Sequence, residues 1–175
     1  MGIAPEHSPS TYDAPNLWSY LDSHLLGATA GVRAFKAASK SWAGTSHEQV
    51  FVHLAREIDA ERTELQELIR ALGHEPSKPK LLIGGIGAGI ATLNPLNVSR
   101  RRRNAGSQLE LEALQSMLRG KEALWQTLLA LLDSPGAPAP LNRGRIEDLL
   151  AHARAQQCSV ADVMVATASA RFLRC

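Results

Sequence analysis

Four stretches of this chain space their apolar residues alternately by three and four, the seam of an amphipathic α-helix. Residues 16–42 carry Leu17, Leu21, Ala28, Val32, Phe35 and Trp42 on one face, and residues 47–72 carry Phe51, Leu54, Ile58, Leu65, Leu68 and Leu72. A third stretch, 108–132, presents Leu111, Leu114, Met117, Leu118, Leu124, Trp125, Leu128 and Leu132. After a Pro/Gly-rich loop at 134–144, a fourth presents Ile146, Leu149, Ala153, Val160, Val163, Thr167 and Ala170. Ser159 and Asp162 leave open a break within that last element, but one continuous helix is the expectation. Ser46 and Gln49 have capping-box spacing at the start of the second helix, and Gly73 is placed to close it. Gly27 and Gly31 in the first helix suit close approach of a neighbouring helix.

The connections predict how these helices are arranged. The break at 43–46 is so short that the first two helices must be antiparallel neighbours. The linker between the second and third, residues 75–107, is far longer than a tight turn needs and can return along the bundle. This predicts an all-α fold: a four-helix bundle with one long crossover, in up-down-down-up order. Residues 1–15, rich in Pro and Ser, read as a mobile tail, and 16–175 as one bundle domain.

Against this apolar background a few polar residues fall on the inner faces. Glu61 sits in the middle of the second helix's seam, where a leucine is expected, with Glu57 and Glu64 beside it. Glu110 and Lys121 fall inside the arc of the third helix, Gln156 inside that of the fourth, and His24 at the edge of the first. Asp22, Asp59, Glu112 and Glu122 are expected to face outward, and His152 lies at or beyond the edge. A carboxylate facing a bundle core must be paired, protonated or bound to metal. One solution pairs Glu61 with Lys121, completed by Gln156 or His24. The other is a metal site for iron or manganese built from Glu61, Glu64, Glu110 and His24. Carboxylate-bridged two-metal bundles take a Glu from each of two helices and a Glu-x-x-His from each of the others. Here Glu61 and Glu64 have that spacing without the His, and the fourth helix offers Gln156 in place of a carboxylate. Glu110 also has a local use, since Ser107 and Glu110 have the spacing of a capping box.

Composition narrows the remaining readings. The 175 residues are 45% hydrophobic, 21% charged and only 5% aromatic, which suits one helical domain with a full core. A net charge of +2 does not make the whole surface a polyanion binder. Arg100, Arg101, Arg102 and Arg103 form a basic run without interleaved aromatics, so it reads as a solvated loop and no specific nucleic acid is expected. Cys158 and Cys175 lack CxxC spacing, so reduced thiols and a cytoplasmic location are the default.

Several segments resemble the ferritin-like superfamily, and more closely a group of uncharacterised bacterial four-helix proteins within it. They are Tyr20-Leu21 with His24-Leu25 and Gly27-Ala28, Arg56-Glu57-Ile58 with Glu61-Arg62, the run from Leu109 to Leu114, and Gly120-Lys121 with Ala123-Leu124-Trp125. The likeness covers residues 16–172. The wider superfamily implies iron oxidation, iron storage or oxygen chemistry; the group itself implies no activity. Gln156 departs from the metal-binding pattern, and Lys121 is a cation beside the donor set. The leading expectation is therefore a non-catalytic bundle acting as a homo-oligomer or with a protein partner, without a cofactor.

Residues 81–98 of the crossover carry no charge. Asn94, Pro95 and Asn97 shorten the apolar part to about 20 Å as a helix, against roughly 30 Å of hydrocarbon, so a membrane span is not expected. Packing on the bundle or at a subunit interface is the expectation, with attachment to a membrane surface as the alternative.

Overall fold

The computed structural model describes residues 12–76 and 105–173; residues 1–11 of the expected tail at 1–15, the segment 77–104 with its apolar run and four arginines, and residues 174–175 with Cys175 lie outside the described residues. Within the described residues the protein is all-helical, with α1 (Ala14–Ser41), α2 (Glu48–Ala71), α3 (Ala105–Leu132) and α4 (Arg143–Phe172). α4 runs unbroken through Ser159, whose hydroxyl donates to the Ala155 carbonyl at 3.1 Å.

The helix ends show why these elements start and stop where they do. Asp13 caps α1 by accepting from the Asn16 amide at 3.2 Å, and Asn142 caps α4 by accepting from the Arg145 amide at 2.9 Å. At the end of α2, Gly73 adopts a φ of 81°. The Gly73 amide then donates to the Arg70 carbonyl and the His74 amide to Ile69, both bonds of a Schellman closure. Two expected capping boxes do not form. α2 begins after His47, without a side-chain cap, and Glu48 instead reaches back to the Gly44 amide at 2.6 Å. Ser107 lies inside α3, which has already begun at Ala105, so neither it nor Glu110 starts that helix.

α1 packs along α2 and α3 along α4; the two pairs then meet more loosely, α1 against α3 and α2 against α4. The buried apolar residues fall into two clusters. One joins Val32, Phe35 and Ala38 of α1 to Phe51, Leu54 and Ile58 of α2, Leu111, Leu114 and Leu118 of α3, and Val160 and Val163 of α4. The other joins Leu21 and Leu25 to Leu65, Ile69 and Leu72, then Leu124, Trp125 and Leu128, then Ile146, Leu149 and Ala153. Each cluster draws on all four helices. The numbering rises from the second cluster to the first in α1 and α4 and falls in α2 and α3, so α1 and α4 run one way and α2 and α3 the other. The glycines of α1 contribute less to packing than expected: among the described residues, a Cβ on Gly27 would meet nothing within 4 Å, and one on Gly31 would touch Ile58 at 4.0 Å.

Candidate functional site

Between the two apolar clusters lies a polar layer. α2 interrupts its seam between Ile58 and Leu65 with Glu61, α3 between Leu118 and Leu124 with Lys121, and α4 between Ala153 and Val160 with Gln156. Glu61 is 6% exposed and Gln156 3%. The Lys121 ammonium donates to Glu61 Oε2 and to Gln156 Oε1. Gln156 Nε2 then donates to Glu61 Oε1 at 3.1 Å and to Glu57 Oε2 at 3.2 Å. At the rim, His53 Nε2 lies 3.0 Å from Glu57 Oε1, and His152 Nδ1 lies 3.6 Å from Glu61 Oε1. Lys121 spans from α3 to both α2 and α4, its apolar stem covered and its head engaged. Burial pushes the Lys121 ammonium below its ordinary pKa, and Glu61 and Glu57 oppose that push.

The structure thus joins Glu57, Glu61, Lys121 and Gln156 by hydrogen bonds, while His24, Glu64 and Glu110 make other contacts. His24 packs edge-on against Tyr20 at 4.6 Å between ring centroids, and burial lowers its pKa. Glu64 is held in a two-point fork by Arg145. Glu110 lies toward the far end of the bundle, 7% exposed, accepting from Ser41 Oγ at 3.1 Å. Burial raises its pKa against the pull of Ser41, Trp42 and Arg171. Of the four residues expected to hold metal, Glu61 and Glu64 stay one turn apart on α2, while Glu110 and His24 have contacts of their own on other elements. Among the described residues, no group of three or more His, Cys, Asp or Glu side chains is arranged to hold a metal ion.

Three buried or half-buried polar features depart from the outward-facing pattern. Glu122, expected to face outward, is 5% exposed and accepts from Gln157 Nε2 at 2.8 Å, Gln126 Nε2 at 3.0 Å, Arg154 Nε at 3.1 Å and Arg119. The hydrogen bonds from Gln157, then Arg119 and Arg154, lower its carboxyl to about 2. Glu122 follows Leu118 by four and precedes Trp125 by three, a flank of the seam that is covered only because α4 brings Arg154 and Gln157 against it. Arg171 is buried at the end of α4, donating to Gln108 Oε1 at 2.6 Å and to Thr167, with its guanidinium 5.7 Å from the centre of the Trp42 ring. Its position near the chain end hid it from a reading based on seams. Asp22, also expected outward, pairs with His74 Nε2 at 3.0 Å, and the His74 ring stacks on Trp18.

No protein-family model matches this chain, and neither curated proteins nor solved structures give a significant match. What the polar layer can do is therefore argued from its own chemistry. Its ammonium, carboxylate and amide are satisfied by one another. A groove of about 610 Å³ lies elsewhere, on the outer side of α1 and α2, lined by Lys36, Val52, Arg56, Asp59 and Arg62 among others. Among the described residues, no helix is long and apolar enough to cross a membrane.

Proposed function

We propose that this protein is a ferritin-like bundle without a catalytic role, cytoplasmic, acting by association with a second copy of itself or with another protein. The observation that carries the reading is the Lys121 ammonium held between Glu61 and Gln156. The inward carboxylate on which metal chemistry in such a bundle would depend is here already spent on joining three helices. The ferritin-like order is supported by the helix directions, since α2 ends at one end of the bundle and α3 begins at the other. Association is supported by large apolar side chains left in solvent: Leu109 at 62% exposure, Val165 at 79% and Phe172 at 59%.

Sedimentation velocity on purified protein, with metal content measured on the same sample, tests the reading. It expects a discrete self-assembled species, or a monomer that pairs stoichiometrically with one co-purifying protein, and a substoichiometric metal content. Val165→Asp with Phe172→Asp is expected to weaken the association while leaving the helical circular dichroism intact. Two tightly held iron ions per chain, with Fe(II) oxidation lost in Glu61→Ala, would replace this reading with a redox or storage function.

A further inference from the structure

The groove on the outer side of α1 and α2 is a concave surface that the polar layer leaves unused. It encloses about 610 Å³, inside the range of roughly 300–1,000 Å³ that small-molecule sites occupy. Val52 and Ala55 form part of its wall, and its charged lining is Lys36, Arg56 and Arg62 with Asp59 as the single acid. Asp59 accepts from Lys36 Nζ at 2.7 Å and from Arg62 Nε at 3.1 Å, so one carboxylate fixes two cations at the groove. The Lys36 hydrogen bond, with Arg62 behind it, holds the Asp59 carboxyl below its ordinary pKa, and it stays charged. Arg56, one turn earlier on α2, engages no acidic side chain among the described residues. Three cations against one carboxylate leave two positive charges uncompensated. A guanidinium with free N–H groups forks onto phosphate or carboxylate oxygens, and an organic phosphate monoester carries about two negative charges at neutral pH against one for a carboxylate. The monoester is the better match in charge. The volume beyond the phosphate, beside Val52 and Ala55, takes its organic group.

We propose that this groove is a binding site for a small organic phosphate monoester, with Arg56 forking the phosphate, Lys36 and Arg62 completing its charge, and Asp59 positioning the latter two. The site is built by α1 and α2 and not by the helix that carries Val165 and Phe172, so it goes beyond the association reading and stands or falls separately from it.

Phenyl phosphate is the probe, with benzoate as the carboxylate of matching ring. Each is titrated into the full chain at constant ionic strength, with calorimetry for stoichiometry and amide chemical-shift mapping for location. The expected result is one phenyl phosphate per chain, bound about fivefold or more tightly than benzoate, with shifts centred on residues 36–39 and 52–63. Binding should weaken near pH 5, because the monoester gives up its second charge at a pKa of about 6. Arg56→Ala removes an exposed side chain, so the fold is expected to stay intact by circular dichroism while affinity for phenyl phosphate falls about tenfold. Arg119→Ala, which removes an exposed arginine of α3, should leave the affinity unchanged and so separates a built site from general attraction to basic surface. The proposal is overturned by the absence of saturable binding, by shifts centred away from the groove, or by a loss in Arg119→Ala as large as that in Arg56→Ala.

Discussion

Glu61 and Glu122 are almost equally buried, at 6% and 5% exposure, yet their surroundings are opposite. Glu61 looks inward, its partner Gln156 is buried like itself and its partner Lys121 is largely covered. Glu122 lies on the flank where α3 meets α4, and its two cationic partners have exposed side chains, 64% for Arg119 and 58% for Arg154. The first arrangement ties α2 to α3 and α4, across the looser junction between the helix pairs. The second tightens a pair that already packs closely. A buried carboxylate is therefore not one kind of object: its worth depends on where its counter-ion goes when the pair is broken. Arg119 and Arg154 can turn into water, whereas the Lys121 side chain, 14% exposed, has far less room to do so.

That contrast sets the expected sizes. Glu61→Leu should destabilise the fold by about 3–5 kcal/mol, because it leaves Lys121 charged, covered and unpaired. Adding Lys121→Met should recover most of the loss, and a denaturant-unfolding cycle on the four proteins measures the coupling. Additive effects would place the two side chains apart. Glu122→Leu should cost less, about 1–2 kcal/mol, since the released arginines regain solvent while two glutamine amides lose an acceptor. If the order of these two losses reverses, the contrast fails.

Acid separates the two sites further. The folded-state pKa of Glu122 is lowered from 4.5 to about 2, so the folded state favours the charged form. Its contribution is complete above pH 4.5 and is lost as pH falls from there toward 2. With Glu122→Gln, stability measured by urea unfolding should fall less steeply across that window. The smallest effect concerns salt. Single changes Arg119→Ala and Arg154→Ala should each cost about 0.5 kcal/mol or less, and that cost should shrink further at 1 M NaCl. The coupling between Glu61 and Lys121 should hardly respond to the same salt.

The same contrast explains what could be seen in the sequence. The four helices are written as periodic apolar seams, and three interruptions of those seams, Glu61, Lys121 and Gln156, stand out because a polar residue replaces an expected leucine. Glu122 interrupts nothing. It occupies a flank that solvent would claim in an isolated helix, and only the second helix of the pair, bringing Arg154 and Gln157, makes it an interior position. Arg171 is similar: its burial depends on Trp42, far away in the sequence. The capping boxes failed for a different reason. Ser46 and Ser107 match a local spacing, but helix boundaries were decided by Glu48 reaching Gly44 and by α3 starting earlier than the seam did. The metal donors could not be judged from spacing alone. Their identities suit the chemistry, but Glu64 is diverted to Arg145 and Glu110 toward the far end of the bundle.

The polar layer also fixes how the helices are phased along the bundle axis. Leucine-rich seams tolerate sliding, because one apolar contact resembles the next and a shift of one turn, about 5.4 Å, exchanges similar neighbours. Here such a slip of α3 against α2 would carry the Lys121 ammonium into the leucines on one side and leave Glu61 facing the leucines on the other. Only one axial alignment satisfies both charges and the Gln156 amide at once. The interior charge thus serves as a register pin, singling out one bundle among several that the apolar residues alone would permit.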